Sequence, residues 1–241
     1  MWRLRTLLQL LTVYFLWVAL IPSGQSLFGY SHTQMLTYVI GTSVISAIVF
    51  STRTHEIGEN INSGNLSSML LKPMSYFGYW LSRDIGDKIM NLVFSVGELC
   101  AFFVLIRPPL FFQSDLYLLF YAVLAIILAI VLQFVIGCIL GLIGFWSPEV
   151  WAPRFIFFIL IQFFSGSFFP LDVFPKPLYD LFALLPFPYL LFFPLKIYLG
   201  KLSFAEIING AIVEILWIGI LSYFCFFVWK KGLRIYTAYG N

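Results

Sequence analysis

Six apolar stretches, at about 6–22, 33–50, 89–106, 115–144, 154–169 and 207–229, decide what this chain can become. A helix crosses a hydrocarbon core of about 30 Å with roughly 20 apolar residues, and each stretch approaches that length. Every backbone N–H and C=O inside lipid must find a partner within the protein, and a helix supplies those partners from its own segment. The expectation is an all-α integral membrane protein with six transmembrane helices. Composition agrees, since 61% of the 241 residues are hydrophobic and 10% are charged, well beyond the apolar share of soluble domains. The fourth stretch is long enough to tilt, and the fifth runs into Pro170. The opening Met1 to Arg5 and the apolar run after it resemble a secretory leader. We read them as a retained first span, because everything downstream needs the membrane as well.

Basic residues set the orientation. Arg3, Arg5, Arg53, Lys72, Arg83, Lys88, Arg154, Lys230, Lys231 and Arg234 fall on one side of the six-span arrangement. Arg107, Lys176, Lys196 and Lys201 fall on the other. Cytoplasmic connections carry the excess of Lys and Arg, so both termini and the loop at 51–88 are expected inside.

That loop is the one long interior segment not built for lipid. Ile57 and Ile61 lie four apart, and Leu66, Met69 and Leu70 continue an i, i+3, i+4 stripe, so a narrow-faced helix is expected. Gly58 and Gly64 each weaken a helix by about 1 kcal/mol relative to alanine, which favours two short helices joined near Ser63-Gly64. Pro73 ends the pattern. A helix lying on lipid head groups is the competing reading, opposed by Glu56 and Glu59, which would face an anionic surface. The connection at 166–206 is as long but stays apolar and holds six prolines and many aromatic rings. Two short re-entrant helices, at 177–185 and 189–199, would satisfy its backbone at membrane depth.

Catalytic motifs are missing from the sequence. No G-x-x-x-x-G-K-[ST] loop is present to cradle a nucleotide, and no nucleophile elbow or H-E-x-x-H helix. His32 and His55 belong to opposite faces, and Cys100, Cys138 and Cys225 form no C-x-x-C pair. A net charge of +3, scattered along the chain, argues against nucleic acid. Two acids fall inside expected spans, Glu98 and Glu214. An ionisable group in a bilayer is costly enough to suggest a translocation-path role; the alternative is a packing carboxyl bonded to neighbours such as Asn91 or Gln133. Gly137, Gly141 and Gly144 form a small-residue face suited to close helix approach, within the chain or across a dimer.

Four stretches together resemble the ABC-2 type transport permeases, in their six-span bacterial branch. They are Ile61-Asn62-Ser63-Gly64-Asn65-Leu66 running to Leu71-Lys72-Pro73; Phe168-Phe169-Pro170-Leu171-Asp172-Val173-Phe174-Pro175; Leu185-Pro186-Phe187 running to Ile197-Tyr198-Leu199-Gly200; and Gly232 to Gly240. The resemblance implies a permease subunit of an ATP-driven exporter in the bacterial inner membrane. It would pair with a second permease, identical or related, and with two separate P-loop ATPase subunits that hold the ATP and magnesium; this chain would bind no cofactor and no nucleic acid. The loop would be a coupling helix: Glu56, Ile57, Glu59, Asn60, Ile61 and Asn62 pressing on the ATPase, Gly64 turning the chain, and Leu66, Met69 and Leu70 holding the segment to the permease. The re-entrant helices would form the extracellular gate. The aromatic, weakly charged interior suggests an amphipathic or lipid-like substrate, and a passive channel or scaffold is the alternative function.

Overall fold

The structure, a computed structural model, describes residues 2–21 and 26–236. Its helices are α1 (Trp2–Leu20), α2 (His32–Val49), α3 (His55–Asn62), α4 (Leu66–Leu70), α5 (Tyr76–Ile106), α6 (Leu116–Gly141), α7 (Trp151–Phe164), α8 (Lys176–Ala183), α9 (Phe192–Tyr198) and α10 (Phe204–Ile235). Short 3-10 turns cover Leu142–Phe145, which prolongs α6, and also Leu171–Val173 and Phe187–Leu190. Pro22, at the end of the first apolar stretch, and Thr237 to Gly240, at the end of the last motif, lie outside the described residues.

The helical expectation gains one small addition. A hairpin of two-residue strands, β1 (Ser26–Leu27) and β2 (Tyr30–Ser31), joins α1 to α2. Phe28 and Gly29 turn it with φ of 53° and 79°, as a two-residue primed turn demands. Ser31 then caps α2, accepting from Gln34 N–H while the Gln34 side chain accepts from the Ser31 backbone.

Two helices form the interior. Met35 to Ile40 of α2 are buried without interruption, because α1, α5, α6 and α9 surround it. The inner face of α6 is small, with Ala122, Ala125 and Ala129 toward one end and Gly137 and Gly141 toward the other. α10 and α9 pack against it closely. The outer helices bury one stripe each: Leu10, Tyr14 and Trp17 on α1, and Tyr76, Trp80, Asp84, Lys88, Ser95 and Phe102 on α5, at steps of four and seven. Their other faces are apolar and uncovered, as at Val104, Leu105 and Ile220. Lipid tails match such a surface, whereas water would drive it to aggregate. Tyr76–Ile106, Leu116–Phe145 and Phe204–Ile235 are long and apolar enough to cross a membrane, and α7 and the Leu10–Leu20 part of α1 are shorter apolar helices.

Helix ends differ from the sequence reading in three places. α5 begins at Tyr76 rather than near 89, because Ser75 caps it by accepting the Gly78 N–H at 3.2 Å and nothing breaks it before Arg107. α7 stops at Phe164, short of 169, where Gly166 takes a φ of 79° and turns the chain. In the connection at 166–206, α8 lies on the surface with no buried residue, while α9 buries Phe192, Phe193, Pro194, Leu195 and Ile197 against α6 and α2.

Candidate functional site

α3 is seated directly on the backbone of α6. It buries Ile57, Gly58 and Ile61, and the facing positions on α6 and its 3-10 extension are Gly137, Gly141 and Gly144. A Cβ on Gly141 would lie 2.7 Å from Ile57 Cβ and 3.0 Å from the Thr54 carbonyl oxygen. One on Gly144 would lie 2.9 Å from both Gly58 Cα and the Gly58 carbonyl oxygen. Thr54 blocks the corresponding space at Gly137. The small-residue face therefore serves packing inside this chain.

Beyond Asn62 the chain turns at Gly64, whose φ of 76° disfavours any other residue. α4 then buries Leu66, with Met69 half-buried against the same cluster. Trp229 of α10 centres that cluster: Tyr76 stacks on it at 4.6 Å, and Phe77 and Phe145 meet it edge-on at 5.2 and 5.8 Å. Asn62 Nδ2 donates to the Pro148 carbonyl at 2.9 Å, and Ser67 Oγ lies 3.1 Å from the Tyr236 hydroxyl. Tyr76 donates weakly to Asn60 Oδ1 at 3.5 Å.

Ion pairs brace the same segment from the side. Arg53 Nη1 meets Glu56 at 2.9 Å, Arg83 Nη1 meets the other Glu56 oxygen at 2.8 Å, and Arg53 Nε meets Asp87 at 3.0 Å. Hydrogen bonds that Arg53 donates to Glu56 and Asp87 raise its pKa above the ordinary value. Lys88, buried beside buried Asp84 at 3.3 Å, donates to the carbonyls of Ile48 and Val49, each at 3.1 Å, and of Ser51. It closes the C-terminal end of α2, where the last carbonyls have no partners in the helix.

A cavity of about 760 Å³ opens between α2, α6 and α7, within the range of about 300–1,000 Å³ common for small-molecule sites. It forms because α7 is loosely packed; Ile161 is its one buried residue among those described. Arg53, His55, Asp87 and Arg154 line the end shared with α3, and Leu10, Val13, Phe155, Phe158 and Ile161 supply apolar wall. Thr42, Ser43, Ser46 and Gln133 add polar groups along its length, and Gln162 of α7 and Ser167 and Phe168 just past its end also line it. Gln133 Oε1, Arg154 Nη1 and Gln162 Oε1 are buried without a hydrogen-bond partner.

At the opposite end of the molecule, Asp172 fastens the long connection. It accepts from the Tyr30 hydroxyl at 2.6 Å and pairs with Lys196 at 2.9 Å, and Lys196 also donates to the Tyr179 hydroxyl at 3.1 Å. Burial works against the charged Lys196, but Asp172 and Tyr179 more than offset it and raise its pKa. The hairpin, the Leu171–Val173 turn, α8 and α9 thus share one polar centre.

With this geometry in place, the known families discriminate. The ABC-2 family transporter protein model matches residues 7–240. The chain belongs to that family. No curated protein matches it. Membership makes this a multi-pass membrane protein and a transport component rather than a catalyst. Among the described residues no group of His, Cys, Asp or Glu could hold a metal ion.

In this ABC-2 family protein, the residues expected at the coupling segment and on the path have the following places. Glu56, expected to reach a partner, is half-buried between Arg53 and Arg83. Ile57 and Ile61 are core residues, and Asn60 and Asn62 are engaged within the chain. Leu70, expected to hold α4 in place, is 46% exposed, since a five-residue helix buries one face and Leu66 occupies it. The outward face carries Glu59, Leu70 and Leu71, the last 88% exposed. Neither acid expected on the path lines the 760 Å³ cavity. Glu98 lies in a separate crevice with Leu10, Ser43 and Ser95. Glu214 is 0% exposed on α10, with both carboxylate oxygens lacking hydrogen bonds. Of the residues that do line the cavity, Gln133 was legible only as a possible neighbour of a buried carboxyl and Arg154 only as a topological marker.

Proposed function

We propose that this ABC-2 family protein is the membrane-spanning permease subunit of an ATP-driven exporter. Two permeases, identical or related, would join two separate P-loop ATPase subunits that carry ATP and magnesium. The seat of α3 and α4 carries this reading: a short polar segment is clamped on three helices and a glycine stripe, yet presents Glu59, Leu70 and Leu71 outward. A segment with a rigid back and an unfilled front suits transmission of force from a partner. The distribution of basic residues supports a cytoplasmic position for that segment and for both termini, in a bacterial inner membrane with six spans. The half-open cavity beside α7 supports a path completed by the second permease, and the Asp172 cluster an outer gate. Alternating access would follow from ATPase closure moving α3.

The test is mass spectrometry of what co-purifies in mild detergent with a tagged chain expressed from its native chromosomal surroundings. A stoichiometric P-loop ATPase is expected, with recovery reduced by Glu59→Arg on the outward face. The chain recovered alone, even after crosslinking, would overturn the proposal in favour of a passive channel or scaffold.

A further inference from the structure

We propose that the cavity beside α7 binds an amphiphile with an anionic head group, held by Arg154 and Gln133, with its tail along the apolar wall. This deepens the permease reading by naming the class of its cargo. The cavity is segregated in charge, with uncharged polar groups spaced along its length. Charged side chains gather where it meets α3, and Phe158 and Ile161 of α7 lie one to two turns beyond Arg154. A small polar metabolite would waste that wall, and a plain hydrocarbon would leave the polar end unmatched.

Among the charged lining residues are two guanidinium groups and one carboxylate, Asp87. Arg53 is already paired with Asp87 and Glu56. Arg154 forms no ion pair within 4 Å among the described residues, and its Nη1 is buried without a hydrogen bond. An unfilled buried donor is costly, and a phosphate or carboxylate oxygen fills it with a short, charge-assisted bond. Gln133 is 7% exposed, and its Oε1 is an unfilled acceptor lining the same cavity. It calls for a hydroxyl or amide donor close to the anion. A glycerol phosphate carrying one acyl chain has all three parts. In the orientation proposed above, the charged end lies at the level of inner-leaflet head groups, so such a molecule enters sideways past α7 without inverting.

The experiment uses the purified full chain in lipid nanodiscs and reads quenching of tryptophan fluorescence, since Trp151 lines the cavity. The probe is a lysophosphatidic acid brominated at the acyl carbons next to its head group, within reach of Trp151, which lies about one turn before Arg154. The comparisons are the same chain on a trimethylammonium head, and unbrominated glycerol phosphate as competitor. Saturable quenching by the anionic probe is expected, lost in Trp151→Phe. Its midpoint should rise at least about tenfold in Arg154→Gln, as for loss of one charge-assisted bond, and less in Arg154→Lys. Gln133→Leu provides a second variant if Arg154→Gln fails to fold, and should weaken the anionic probe several-fold. Equal quenching by the cationic probe, or midpoints unmoved in these variants, would overturn the proposal. Displacement by glycerol phosphate alone at equal concentration would overturn it too, by revealing a small-anion site. No ATPase takes part in this assay, so failure here and failure of the co-purification test are distinct.

Discussion

Adding one methyl group at Gly144 tests how α3 is held. In Gly144→Ala the new Cβ would stand 2.9 Å from both Gly58 Cα and the Gly58 carbonyl oxygen. Ordinary separations of about 3.5–4.0 Å return only if α3 retreats by roughly 0.5–1 Å, because the obstacle is backbone and has no alternative rotamer. Overpacking of this kind costs about 1–3 kcal/mol. The gain in helix propensity from glycine to alanine, at most about 1 kcal/mol, offsets only part of it. Gly97 on α5 supplies the control, since nothing lies within 4 Å of a Cβ added there. Hydrogen exchange of residues 55–62 in nanodiscs should accelerate in Gly144→Ala and stay unchanged in Gly97→Ala, with the thermal midpoint lowered only in the former. If exchange at 55–62 and the midpoint match in the two variants, the close backbone approach is not what seats α3.

Two further substitutions probe other parts of the chain. Asp172→Asn removes the partner of half-buried Lys196 and weakens the Tyr30 bond; breaking a buried pair from one side costs about 3–5 kcal/mol, and partial exposure here reduces that to about 2. Protease cleavage within 166–206 should speed up, and unchanged cleavage would remove Asp172 from its fastening role. Glu214→Gln should leave both thermal midpoint and transport unaltered, because the neutral carboxyl group has no hydrogen bonds to lose and lies outside the cavity; loss of transport with intact folding would return Glu214 to the path.

Periodicity in the sequence reached as far as faces, and stopped at partners. The Ile57 and Ile61 stripe, the break at Ser63-Gly64 and the glycine face of α6 were all legible, because each follows from spacing along one segment. That the stripe and the glycine face meet each other was not, since they are some 80 positions apart and neither encodes its complement. Residues 76–88 read as loop because Arg83, Asp84, Asp87 and Lys88 dilute the local hydropathy. All four of those charges are in fact neutralised by partners at 53–56 and at 84–88, which lets α5 continue through them. Arg154 and Gln133 went unrecognised for the opposite reason. Their significance lies in the space that loosely packed α7 leaves beside them, and space has no sequence signature.

The joint between α3 and α6 also has a mechanical character. Where side chains meet, a push is partly absorbed as rotamers shift and gaps close. At Gly58 and Gly144 backbone would bear on backbone, with no compliant layer between them. Displacement of α3 therefore reaches α6 almost undamped, and through α6 it reaches α9 and α10, which pack on the same helix. The glycines make this joint a stiff link between α3 and the helices packed on α6.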